Sequence, residues 1–337
     1  MRGLRFLLVF FFLSLSSVFA YPADFKKQNI VRETLDKFEL SSQNRLRSKK
    51  KKPTYPKSLT TDYFSRRKEE IRKTLGFLEG KIYLSLNWYR YHLGYKEFKE
   101  RNVLCEEFGW IHGYYAKLGY RSDRDFGKLW GKPFLEVYLR MIEDMITYKG
   151  ATWGGLPVDF ETKAEIQRYG GKFGGYKDLT KDSCIYGYID IGKRVWFRGE
   201  NKIVYAGGIP VLAYKEKYTW LYFGGGLGVE YRGIEKTSLG LDFELLFTPF
   251  KKYRKMTVYS HQTLPEFKFT LGGTWGLELN IPMKYYLFKN LSLDFTPYYI
   301  FWSIDESNYI PFGGGYVYEP ESKSKIYGIS CGFTINF

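Results

Sequence analysis

Long hydrophobic runs are missing from most of this 337-residue chain, whose mean hydropathy is −0.36. Beyond the start, nothing reaches the about 18 consecutive apolar residues of a membrane-crossing helix, so helical spans are excluded. Cysteine is scarce: Cys105, Cys184 and Cys331 are all there is. No pair has metal-site spacing, and neither a metal nor a cofactor is expected. Histidine occurs only as His92, His112 and His261, which leaves few candidate general bases. Acid is in deficit, 36 Asp plus Glu against 52 Lys plus Arg, for a net +16. What abounds is aromatic side chain and glycine, with 31 Tyr, 28 Phe, 8 Trp and 35 Gly. That mixture suits close-packed strands with aromatic belts.

The most informative pattern lies at residues 323–337. Tyr327, Ile329, Cys331, Phe333, Ile335 and Phe337 alternate with Gly328, Ser330, Gly332, Thr334 and Asn336. A strand so patterned can set one face against lipid and the other against a polar lumen. The alternation recurs from residue 80 onward, and strands are predicted near 81–94, 107–120, 132–148, 160–173, 184–198, 218–232, 237–249, 265–286, 290–304 and 323–337. Leu239, Leu241, Phe243, Leu245 and Phe247 are assigned to lipid, with Gly240, Asp242 and Glu244 inward. By the same rule Phe267, Phe269, Leu271, Trp275 and Leu277 face out, with Glu266, Lys268, Thr270 and Glu278 in. The fold class is therefore all-β: a transmembrane, antiparallel up-and-down β-barrel of about ten strands, with eight or twelve as alternatives.

Connections alternate in length, which sets the two ends. Those at 232–236 and 288–290 are tight, whereas 199–217, 250–264 and 305–322 are long and polar or Gly-rich. Short turns belong to the periplasmic side and long loops to the outside. Two periplasmic connections, 121–131 and 174–183, are longer than that rule prefers. On this topology Cys105 falls in an outer loop, Cys184 at a strand start and Cys331 on the lipid face, too far apart to bridge.

Upstream, Arg2 and Arg5 precede an apolar stretch at 6–15, and Val18 and Ala20 supply small residues before a cut. Residues 1–20 read as a secretory signal peptide. With it go two arginines, leaving +14, and no Cys follows to accept a lipid. Residues 21–79 form a basic, partly helical extension. Lysines at 49–52 beside Pro53 and Pro56 mark a linker, flanked by helical spacings at Phe25, Val31, Leu35 and Phe38 and at Ile71, Leu75 and Leu78. Two readings stand: a solvated periplasmic segment, or a plug or anionic-partner contact. The domains are thus 1–20, 21–79 and the barrel, 80–337.

At this point the chain resembles the outer-membrane β-barrel superfamily of Gram-negative bacteria, whose last strand carries a sorting signal. Ser330 fills the polar position, Gly332 the glycine, Ile335 the hydrophobic and Phe337 the terminal aromatic; Ile335 is aliphatic where an aromatic is usual. The resemblance implies outer-membrane localisation, recognition by the barrel-assembly machinery and periplasmic chaperones, and contact with outer-membrane lipid and lipopolysaccharide. It names no activity.

An exported barrel does not meet nucleic acid, so the positive charge points to anionic envelope partners. Lys251, Lys252, Arg254 and Lys255 are the candidate surface anion contacts. The predicted lumen charges are Glu136, Arg140, Lys163, Glu165, Asp190, Arg194, Arg198, Glu230, Arg232, Asp242, Glu244, Lys268 and Glu278. Mixed signs in a narrow lumen pair and fill it, whereas open porins need about 16 strands. A structural, adhesive or surface-binding barrel is the favoured reading. A narrow, porin-like channel for small anionic solutes is second. An omptin-like or lipid-modifying hydrolase is third: Ser260 and His261 with Asp144, Asp159 and Glu161 lack the paired acids such enzymes carry, and no catalytic residue is assigned.

Overall fold

The computed structural model describes residues 80–337 apart from 128–130, 153–154 and 260–264; the expectations for 1–79, Ser260 and His261 lie outside the described residues. The strands are β1 (Gly80–Lys99), β2 (Asn102–Ser122), β3 (Lys132–Ala151), β4 (Pro157–Asp178), β5 (Ser183–Arg198), β6 (Lys202–Ala206), β7 (Ile209–Ala213), β8 (Lys215–Ile234), β9 (Thr237–Phe247), β10 (Arg254–Tyr259), β11 (Phe267–Thr270), β12 (Thr274–Asn280), β13 (Met283–Phe288), β14 (Leu291–Ile304), β15 (Ile310–Phe312), β16 (Gly315–Val317) and β17 (Glu321–Asn336).

They close into an antiparallel barrel of ten staves. Each stave pairs with its sequence neighbours, and β17 returns to β1 in a register running from Tyr83↔Asn336 to Phe98↔Glu321. Closure satisfies both edges, a condition that any wall immersed in hydrocarbon must meet. Two staves are interrupted. β9 and β10 both pair with β8, on either side of a 3₁₀ turn at Lys251–Tyr253. β12 and β13 both bridge β9 to β14, with Ile281 and Pro282 between them. Two small hairpins, β6–β7 and β15–β16, stand off the wall in the long connections. Within the wall, Tyr188 lies over Gly226 so closely that a Cβ there would overlap the ring, so the glycine makes room for the aromatic.

The lower end carries the turns at 179–182, 235–236 and 289–290, and the upper end the turn at 100–101 and the hairpins β6–β7 and β15–β16. Three boundaries correct the sequence reading. β1 and β2 do not stop near 94 and 107; they continue to a tight turn in which Glu100 and Arg101 both have positive φ, 49° and 74°. Such a turn matches strand twist. Cys105 is consequently a buried β2 residue, not a loop residue. The stretch 250–264 holds β10 where a loop was expected.

The barrel inverts its polarity along its length. In the lower half the outside is apolar: Leu239, Leu241, Phe243, Leu245, Phe247, Leu227, Val229, Ile189, Leu293 and Phe333 are all exposed. Asp242, Glu244, Ser292, Ser330 and Thr334 are buried inside. In the upper half the inside is apolar, a core that includes Leu93, Ile111, Trp196, Tyr218, Trp220, Met256, Phe267, Phe269, Leu271, Trp302 and Ile326. Outside it stand Lys163, Glu165, Lys217, Lys255, Lys268 and Lys325. The lower section sets an apolar outside around a polar interior, the pattern of a wall in lipid, and the upper a charged outside around a mainly aromatic and aliphatic interior. At the change of regime Trp110, His92 and Tyr327 form one outward row, His92 stacked on Tyr327 at 5.1 Å, as aromatic belts do at a membrane boundary.

This inversion overturns two face assignments. Phe267, Phe269 and Leu271 point inward, at 8, 5 and 1% exposure, and Lys268 points out beside Glu266 at 3.4 Å. Trp275 faces out as expected, because the strand changes phase across Leu271, Gly272 and Gly273, between β11 and β12. On β4 the inward residues are Ala164, Ile166, Arg168, Lys172 and Tyr176. Lys163 and Glu165 are therefore external, paired with Glu143 at 2.6 Å and with the Gln167 amide at 2.6 Å.

Candidate functional site

Two charged centres occupy the interior, one on each side of the aromatic core. The lower is a continuous lattice. Glu278 accepts from Arg140 at 3.2 Å and also from Arg168. Arg168 further meets Asp190 at 3.1 Å and Glu244 at 3.6 Å. Lys172 joins Glu244 at 2.9 Å, and Tyr188 donates to Asp242 at 2.8 Å. Nearer the lower mouth Lys117 and Tyr83 hold Glu136, and Arg232 holds Glu230 at 2.8 Å. These residues border a cavity of about 190 Å³ reaching from the lower rim to Arg140, Arg168 and Glu278.

Strand alternation creates this lattice: Arg168 on β4 lies across from Arg194 on β5, and Lys172 across from Asp190. Ion pairs held so firmly fix strand register more than they add net stability, because desolvation offsets their attraction. Of the predicted lumen charges, Glu136, Arg140, Asp190, Arg194, Arg198, Glu230, Arg232, Asp242, Glu244 and Glu278 face inward, and Lys163, Glu165 and Lys268 do not. Arg168, Lys172 and Lys117 were missed. The alternation of Arg168, Gly170, Lys172 and Gly174 was the available signal, masked by the equally polar Lys163, Glu165 and Gln167 on the other face.

Above the lattice Arg194 makes no ion pair among the described residues; its guanidinium sits among Trp196, Trp220 and Trp302 at 5.9, 5.2 and 5.4 Å from their ring centres. Aromatic faces partly compensate a desolvated cation. The space there is about 20 Å³, room for a water molecule and no more.

The upper centre surrounds Arg198. Its Nε donates to Glu107 at 2.7 Å, and its Nη1 donates to Glu216 at 2.8 Å and to Glu97. Tyr218 donates to Glu319 at 2.5 Å, and Cys105 Sγ lies 3.3 Å from Arg198 Nη2. Glu107, Glu216 and Glu319 come from segments read as outer strand ends or loops, so only the fold gathers them.

Arg254, expected at the surface, is 5% exposed and faces Gly273 beside Asp305; Lys251, Lys252 and Lys255 are exposed. On the assigned sorting strand Ser330 is buried, Phe337 is exposed, and the Phe337 amide donates to the Ile82 carbonyl at 2.8 Å. Gly332 sits inward against Asn87, and Ile335 pairs with Leu84 and Leu291. All three cysteines are free thiols. His112 Nδ1 and Asp144 Oδ2 lie 2.6 Å apart on the external wall, while Asp159 is 3.8 Å from Lys149.

No family model matches the chain, and no curated protein does. Among solved structures, the outer membrane protease OmpT from Escherichia coli is similar at 10% identity and TM-score 0.44, covering 76% of this chain and 97% of that one. The outer membrane protein OprG from Pseudomonas aeruginosa aligns at 10% identity and TM-score 0.35, over 77% and 96%. The translocator domain of the autotransporter NalP from Neisseria meningitidis aligns at 10% and 0.35, over 80% and 96%.

Proposed function

We propose that this protein is an integral outer-membrane β-barrel with a structural or surface-binding role and a lumen that does not conduct. The observation that carries the reading is the aromatic and aliphatic core in the upper half, where Trp196, Trp220, Trp302, Tyr218 and Tyr222 are fully buried. A solute entering the lower cavity meets the ion-pair lattice first and this dry core next. Water-filled transport paths need an open lumen, which barrels of about 16 strands provide. The apolar lower exterior supports insertion in the outer membrane, with lipid around it and lipopolysaccharide phosphates beside exposed Lys251, Lys252 and Lys255. Ser330, Gly332, Ile335 and Phe337 are proposed as the signal for the assembly machinery. Residues 1–20 are proposed as an export signal and 21–79 as a periplasmic extension.

Planar-bilayer recording of the refolded protein tests the reading. Silence is expected; steady anion-selective steps would replace it with the channel. Recovery of the mature chain as a folded, detergent-free soluble protein would remove the membrane assignment itself.

A further inference from the structure

We infer that the cavity beside Arg198 is a binding site for a small organic cation, an ammonium or guanidinium group on a short apolar body. The charge count motivates it. Four glutamate side chains, Glu97, Glu107, Glu216 and Glu319, are gathered by hydrogen bonds around Arg198 and its tyrosine neighbours, so among the described residues one guanidinium faces four acids. Glu107 is 2% exposed, and its Oε2 is buried with no hydrogen-bond partner among the described residues. An unsatisfied carboxylate oxygen is costly in a dry setting. Glu107 also borders a cavity of about 310 Å³ under the β6–β7 hairpin.

The lining of that cavity selects the ligand. It includes Glu97, Glu107 and Glu216, with Arg198 among them, and the aromatic side chains of Tyr148, Phe160 and Tyr214. Acids and aromatic rings together suit a cation with hydrocarbon attached. The volume lies at the small end of the about 300–1,000 Å³ typical of ligand pockets. A divalent metal fits less well: among the described residues no three Asp, Glu, His or Cys side chains converge to hold one, and such ions take several oxygens at once.

This inference rests on the proposed membrane insertion of the lower section, which leaves the upper rim in water. The test uses the refolded full-length protein in detergent, titrated calorimetrically with putrescine and with butane-1,4-diol, its neutral counterpart. The same sample is checked for heat-modifiable gel mobility and for silence in bilayers, so failure of the site and failure of the barrel reading are separable. Saturable binding of putrescine but not of the diol, weakened about tenfold or more by Glu107→Gln in a barrel that still folds, is the expected result. Glu143→Gln, on the outer wall, leaves it unchanged. Equal binding of the diol, no binding to a folded barrel, indifference to Glu107→Gln, or saturable calcium binding in place of putrescine each overturns the proposal.

Discussion

Phe269 and Trp275 belong to one stave and share odd numbering, yet Phe269 is 5% exposed within the barrel and Trp275 is 46% exposed on its outside. A regular strand puts such positions on one face. The phase change falls across Gly272 and Gly273, where the Gly272 amide and the Gly273 carbonyl turn to Asp305. Above it the chain obeys the rule of a water-soluble sheet, and below it the rule of a sheet in lipid.

Phe269→Ala is therefore expected to remove core packing and cost about 3–5 kcal/mol of stability. Lys268→Ala, one residue away on the solvated face, costs within about 0.5 kcal/mol. Urea unfolding in detergent, followed by tryptophan fluorescence, measures both. Equal effects would refute the inward placement of Phe269.

Glu278 is the acid shared by Arg140 and Arg168. Glu278→Gln leaves two buried guanidiniums short of a counter-charge and is expected to cost about 3–5 kcal/mol. Replacing exposed Glu266, whose partner Lys268 is 74% exposed, costs about 0–1 kcal/mol. The same unfolding measurement ranks the two, and a reversed ranking counts against the lattice as the fixing element of the lower lumen.

Trp220 and Trp302 pack edge to face at 5.4 Å inside the closed upper section. The double variant Trp220→Ala, Trp302→Ala opens space in that section and is expected to give measurable single-channel current where the parent is silent, provided circular dichroism shows the strands retained. A folded variant as silent as the parent would place the barrier elsewhere.

The Phe337 amide is held by the Ile82 carbonyl across the β1–β17 seam, while its side chain is 73% exposed. Removing Phe337 costs little internal packing, so a fall in folded barrel in the outer membrane reports recognition during assembly. An unchanged yield argues against that role.

Much of this was legible in the sequence, for a physical reason. On β9 and the lower part of β17 the outward positions are apolar, so Leu239 to Phe247 and Tyr327 to Phe333 fix the phase on their own. Ten staves appear where they were expected, except that the seventh runs on through β10 into a stretch read as a loop. What failed was the upper half. Along β4, which crosses both halves, Lys163 and Glu165 on one face compete with Arg168 and Lys172 on the other, and alternation alone cannot say which is inside. A lipid rule carried upward then misplaced Phe267, Phe269, Leu271 and Lys268. The Arg198 centre was hidden for a different reason: Glu97, Glu107, Glu216 and Glu319 meet only once the barrel has closed.

The interruption at Lys251–Tyr253, where β8 changes partner from β9 to β10, divides the wall into two mechanical panels. The β10–β11 panel is short, four paired positions, and its far edge meets Asn308 in place of a ladder. Opening free energies are lowest where paired backbone is sparse. Amide exchange should accordingly be quickest in this flap while β9, immediately below it, stays protected, so the upper rim can breathe without unsealing the lipid-embedded section.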